Sequence, residues 1–142
     1  MPRPLSLVLF ALTCPAAALV AQDADSVTFT RQRLADGVYL LQGQGGNVGL
    51  SAGQDGAFII DDDYSQLTPQ LKTAVAGVSR APIRFIINTH WHRDHTGGNA
   101  TLAGEGAMIV AQDNVRQRMS REQFLKDFNL RVPAAPPVAL PI

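Results

Sequence analysis

The chain has 142 residues, with 12 Lys and Arg against 12 Asp and Glu, and 46% of its residues are hydrophobic. That length allows one domain. The apolar content excludes a chain disordered throughout, and zero net charge speaks against a nucleic-acid binder, which carries a basic excess.

The first 21 residues have the layout of a secretory signal peptide. Arg3 gives a positive start, Leu5 to Leu12 an apolar stretch, and Ala16, Ala17, Ala18 and Ala21 the small residues before a cleavage site. Pro15 interrupts the stretch too early for a membrane span; a retained N-terminal anchor is the alternative. Cleavage after Ala18 or Ala21 removes Cys14, the only cysteine. An exported domain without disulfides relies on its core or on a metal. The expected location is the periplasm or the medium, with no membrane contact once the leader is gone.

Residues 22–36 form a polar lead-in, and Asp23 to Thr30 reads as flexible or as a first edge strand. Val38 to Leu41, Val48 to Ala52 and Ala57 to Ile60 read as strands around two glycine turns, Gly43 to Asn47 and Gly53 to Gly56, the pattern of an antiparallel meander. The period then changes. Thr68 and Pro69 read as an N-cap and first helical residue, followed by an apolar face of Leu71, Ala74, Val75 and Val78. Pro82 ends that element. Ile83 to Ile87 is a nearly continuous apolar run that suits a strand buried on both faces. A short helix near Ala100, a strand over Ala107 to Ala111 and helical segments from Asp113 to about Asn129 follow, the last with an apolar face of Met119, Phe124, Leu125 and Phe128. Strands followed by β-α-β alternation indicate an α/β sheet protein covered by helices. Residues 132–142 hold four prolines and no charge, an extended apolar run that reads as cut.

All three histidines fall within six residues, His90-Trp91-His92-Arg93-Asp94-His95, followed by Thr96-Gly97-Gly98-Asn99. In extended backbone His90 and His92 point to one side, and Asp94 and His95 follow where the chain must turn. Imidazole and carboxylate are ligands for zinc, iron and manganese. Gly97 and Gly98 leave room for the next helix to approach the metals.

H-x-H-x-D-H after a buried strand, preceded by a strand ending in Asp and followed by T-G-G-N, resembles the metallo-β-lactamase fold superfamily over about Gly37 to Ala111. The resemblance implies a four-layer α/β/β/α sandwich, of which residues 37–131 supply about the first half. It implies two zinc ions, one on His90 and His92 and the other on Asp94 and His95, with Asp61 supporting the metal loop. The chemistry would be hydrolysis of a small molecule by metal-activated hydroxide, with Asp94 orienting it and the electrophile an amide, ester, thioester or β-lactam carbonyl. An iron-dependent oxidative enzyme is a minor rival on this fold. Two ligands per metal fall short of the three that a catalytic zinc usually takes. In the family, later histidines and a bridging Asp complete both sites. The chain therefore reads as the first part of a longer enzyme; the alternative is a catalytically incomplete metal-binding fragment without turnover. An isolated half-sandwich would expose a sheet face and self-associate.

Weaker features have plainer readings. Asp62 and Asp63 read as a solvated strand-to-helix turn. Gly43 to Gly46 reads as a hairpin turn at the mouth of the site, without the helix N-terminus that would favour phosphate. Arg93 projects to solvent or attracts an anionic substrate. Arg116, Arg118 and Arg121 form a solvated helix face, and Trp91 packs beneath the metal loop. Phe124 and Phe128 belong to the core or to a wall over the substrate groove.

Overall fold

A computed structural model describes residues 26–142; the leader expected over residues 1–21 lies outside the described residues. Period-two patterning around the glycine turns builds four antiparallel strands: β1 (Thr30–Ala35), β2 (Val38–Gln42), β3 (Asn47–Gly53) and β4 (Gly56–Ile60). The edge strand lies slightly later than Asp23 to Thr30, so part of the lead-in joins the sheet. Every residue of β1 is exposed, and its two arginines suit an edge that must not recruit another strand.

Two parallel strands extend the sheet. A crossover through α1 (Thr68–Ala76) leads to β5 (Ile83–Asn88), and α2 (Arg93–Thr96) with α3 (Asn99–Gly104) leads to β6 (Met108–Ala111). The sheet order is β1-β2-β3-β4-β5-β6. The apolar face expected for α1 is buried at Leu71, Ala74 and Val75. Its start differs: a 3-10 turn over Ser65–Leu67 runs straight into the helix, so Leu67 holds the cap position and Thr68 lies inside the first turn, giving no side-chain cap.

Helix α4 (Asp113–Met119) is shorter than the helical reading of 113–129. Beyond it the chain forms a hairpin of β7 (Gln123–Leu125) and β8 (Leu130–Val132), closed by a 3-10 turn and by Asn129 in the left-handed region at φ +47°. Asparagine tolerates that conformation better than most residues. Phe124 and Phe128 are consequently exposed, not core residues. Residues 132–142 are docked, not loose: Ala135 donates to Met119 O, Ile142 donates to Ile109 O and Asn99 donates to Ala139 O.

The helices cover one face of the sheet. Leu41, Val48, Leu50, Ile59, Ile86 and Ile109 are buried there against Leu67, Leu71 and Leu102. Each such side chain contributes roughly 1.5–3 kcal/mol by leaving water. The opposite face carries two cross-strand ladders, Val38-Ser51-Phe58-Phe85-Met108 and Leu40-Gly49-Ile60-Ile87-Val110. Of these, Phe85 is 44% and Met108 47% exposed. Burial of β5 on both faces, expected from its composition, is therefore corrected: the described residues cover only the Ile86 side. The helix layer and sheet make two layers of a sandwich.

Candidate metal centre

The His motif sits at the carboxyl ends of β4 and β5, where open α/β sheets place their ligand sites. Three consecutive acids end β4, and the structure corrects the solvated-turn reading of two of them: Asp62 and Asp63 are fully buried and Asp61 nearly so. Asp61 and Asp63 take φ of +62° and +59°. Left-handed backbone costs about 1–2 kcal/mol at a residue with a Cβ, and here it turns successive carboxylates toward different neighbours.

Asp61 faces the motif. Its Oδ1 accepts from Thr89 N at 2.8 Å, and its Oδ2 accepts from Thr89 Oγ1 at 2.7 Å and lies 2.8 Å from His95 Nδ1. Asp62 faces T-G-G-N: its Oδ1 accepts from Gly98 N at 2.9 Å, while Oδ2 is buried without a partner. Burial pushes its carboxyl up to about 8; the Gly98 N–H opposes the rise, and the Asp61 and Asp63 charges add to it. Asp63 faces the glycine turn, where Oδ1 accepts from Gly45 N at 3.0 Å and from Tyr64 N at 2.7 Å. Burial raises this carboxyl too, against the pull of those N–H groups. The turn thus cradles a carboxyl group, the chain's own Asp63. A Cβ on Gly43 or Gly45 would collide with the carboxylate.

The two motif glycines answer the same constraint. A Cβ on Gly97 would meet Ser65 N, Asp63 O and Arg93 O, and one on Gly98 would lie 3.2 Å from Asp62 Cγ. Among protein atoms their close approach is to the strand-end acids and to the Ser65 amide. Gly46 borders the site, with its Cβ position 3.4 Å from His95 Cε1, which puts the glycine turn at the mouth.

The three imidazoles come together. Ring centroids lie 4.8 Å apart for His90 and His92 and 4.0 Å for His90 and His95. His90 Nδ1 is 3.0 Å from Thr89 Oγ1. That hydroxyl donates to Asp61, so it receives the Nδ1 proton of His90. Asp61 Oδ2 engages Nδ1 of His95, so in both rings Nε2 is the nitrogen left to face a metal. Burial holds the His90 pKa down, and the neighbouring His95 and His92 lower it further. A metal ion takes an imidazole whose other nitrogen is held, as Nδ1 is in His90 and His95. His95 Nε2 lies 3.3 Å from Asp94 Oδ2, and two ligands on a tetrahedral zinc are about 3.4 Å apart when each bond is near 2.1 Å. The donor set therefore fits a metal. Among the described residues no three His, Cys, Asp or Glu side chains form a complete metal-holding group.

Sequence reasoning missed Thr89, which ties Asp61 to His90, and the pair of Asn88 and Asn99. These two amides exchange hydrogen bonds of 3.2 and 2.9 Å, and Asn88 Nδ2 also donates to His95 O. Their positions, at a strand end and in T-G-G-N, were the available signal. Trp91 packs edge-on to His92 at 4.7 Å, with the Arg118 guanidinium 5.7 Å from its ring. Arg116 and Arg118 are exposed on α4 as expected, but each also has a partner, and Arg121 is not on the helix. Arg116 donates to Pro141 O, and Arg118 lies over Trp91.

The fold is similar to that of known proteins. A B3 metallo-β-lactamase described as having an active-site glutamic acid is 28% identical over 75% of this chain and 43% of its own, with a TM-score of 0.61. BJP-1, a subclass B3 metallo-β-lactamase of Bradyrhizobium japonicum, is 27% identical over 82% of this chain and 46% of its own, with a TM-score of 0.62. A HARLDQ-motif mutant of a Cronobacter sakazakii metallo-β-lactamase gives 26% identity, 75% and 44% coverage and a TM-score of 0.60. The chain spans less than half the length of each of these three. The metallo-β-lactamase superfamily matches residues 41–139, and the chain belongs to that superfamily.

Proposed function

We propose that this chain is the metal-holding first part of an exported, zinc-dependent hydrolase that attacks a carbonyl or similar electrophile of a small molecule, whether amide, ester, thioester or β-lactam. The observation that carries the reading is the approach of His95 Nε2 to Asp94 Oδ2 at 3.3 Å, with Asp61 on the other nitrogen of the same ring. His90 and His92 would hold one zinc, and Asp94 and His95 the other. Zinc so held brings the pKa of a water to near ~7 and polarises a carbonyl oxygen. The chain's own residues orient these parts. Asp61 fixes the tautomer of His95, and Thr89 does the same for His90. The Asp94 carboxylate, 30% exposed, accepts a hydrogen bond from the attacking water and aims it. Completion of both sites by later histidines and an Asp belongs to this reading, as does export through the leader. No helix among the described residues is long and apolar enough to cross a membrane.

The test uses the protein expressed from its whole open reading frame. Zinc content is measured after dialysis, and hydrolysis is assayed on a chromogenic cephalosporin, an aryl ester, an aryl amide and a thioester. We expect retained zinc and turnover of at least one of the four, lost in His92→Ala and Asp94→Ala. Asp61→Asn removes no ligand yet should weaken zinc binding roughly 10–100-fold. Retained zinc with no turnover in any class would make the protein a metal binder and overturn the hydrolase. Failure to retain zinc would overturn both.

A further inference from the structure

Beside the His motif, between α2, α3, α4 and the β7–β8 hairpin, lies a cavity of about 700 Å³. That volume suits a small molecule. His92 and Asp94 are among its lining residues, and Leu125, Phe128 and Leu130 of the hairpin form an apolar wall. Its charged lining is lopsided: Arg93, Arg118 and Arg121 against the single carboxylate of Asp94. A chain with no net charge has gathered three guanidiniums around one opening.

Those cations are not spent on ion pairs. Among the described residues Arg33 pairs with Asp36, Arg131 with Glu122 and Lys72 with Glu105, and none of these carboxylates serves the cavity. The Arg118 guanidinium lies over Trp91. A cation–π contact at this distance uses none of the guanidinium's N–H groups, which remain able to bind a planar anion in bidentate fashion. A cleft with apolar walls also focuses the field of its cations, so an anionic ligand is drawn in more strongly than on open surface.

We propose that this cavity is the substrate groove, and that it selects molecules bearing an acidic group on an apolar body. Arg118 and Arg121 receive the acid, and Leu125, Phe128 and Leu130 pack the body so that the electrophile faces His92 and Asp94. The inference rests on the hydrolase reading for what happens to the ligand, but not for the binding preference itself.

Trp91 is the only tryptophan and lines the groove, so its fluorescence reports occupancy directly. The probes are 4-phenylbutyrate, its neutral amide and phenyl phosphate, titrated into the protein without any turnover assay. The better acid should bind at least tenfold more tightly than the amide, and raising NaCl from 0.05 to 0.5 M should erode that preference. Whichever acid binds more tightly assigns the group as carboxylate or phosphate. In Arg118→Gln/Arg121→Gln the preference should fall below twofold while amide affinity stays constant, which also shows that the groove is intact. Arg118→Lys/Arg121→Lys should keep the preference within threefold of the parent, and Arg33→Gln should leave it untouched. Equal binding of acid and amide, or a preference that survives the double Gln substitution, overturns the proposal. Zinc-dependent hydrolysis without acid preference would sink this inference alone. Acid preference in a protein that hydrolyses nothing would sink the hydrolase and leave the selectivity standing.

Discussion

The His motif has two unlike sides. On one, toward β4 and the glycine turn, each polar side chain is tied to a neighbour: Asp61 to Thr89 and His95, Asp62 to Gly98, Asp63 to Gly45 and Tyr64, Asn88 to Asn99, with Oδ2 of Asp62 and of Asp63 the buried exceptions. On the other, toward α4 and the hairpin, arginines and apolar side chains stand around open space, and Phe128 is 77% exposed. The first side holds the imidazoles in place and has no freedom to receive a ligand. The second has the space and the unspent charge to bind one, and little to lose from substitution. Holding and binding are thus divided between opposite flanks of one six-residue motif.

The division is sharpened most by Gly97→Ala on the holding side. The added methyl would meet three main-chain atoms, including Arg93 O at 2.8 Å, and none can swing away as a side chain would. We expect a loss of about 3 kcal/mol or more in unfolding free energy, read by chemical denaturation. Gly104→Ala, with nothing within 4 Å of the new Cβ, is the matched control and should be close to neutral. Equal cost at both positions would break the account of the holding side.

Asp62→Asn should act in the opposite direction and depend on pH. Burial pushes its carboxyl from the ordinary 3.8 up to about 8 on folding, so between those values the folded state binds more protons than the unfolded one. Stability then falls as pH rises through that window and levels off above it. In the metal-free protein the melting temperature should drop from pH 5 to pH 8. Asp62→Asn should flatten the slope and melt higher at pH 8, by about 5 °C or more. A parallel pH profile in both proteins would mean that Asp62 ionises freely and that the buried acids are not arranged as described.

The smallest effect belongs to the binding side. Phe128→Ser should change stability by less than about 0.5 kcal/mol while weakening binding of 4-phenylbutyrate several-fold. If it destabilises as much as Gly97→Ala, the hairpin is part of the scaffold and the two flanks are not different in kind.

Legibility in the sequence followed the same line. The glycine turns, the strands through Ile87 and the His motif were readable because each rests on a local pattern: period-two alternation, turn residues, and histidines spaced two and three apart. Asp61 was readable through the family resemblance. Asp62 and Asp63 were not, because an aspartate followed by more aspartates looks like solvated surface. Only the left-handed bends at Asp61 and Asp63, together with glycines that arrive from 18 and 36 residues away, turn them inward. Ser120 to Asn129 was misread as helix because strands of three residues are too short to display a period. The apolar run of β5 failed for another reason: composition records that both faces of a strand are apolar, not what covers each.

One topological feature bears on how the molecule comes to be folded. The order of strands across the six-stranded sheet is the order along the chain, so each strand finds its place beside the one synthesised just before it. No early strand has to wait for a distant partner, and the meander of β1 to β4 needs only short loops to close. The slower joins are the two parallel pairings, which must wait for their crossover helices. The His motif lies at the second crossover. Its imidazoles are held by Asp61 and Thr89, just past the ends of β4 and β5, so the pairing of β5 with β4, not the later addition of β6, is the step that brings the motif to its partners.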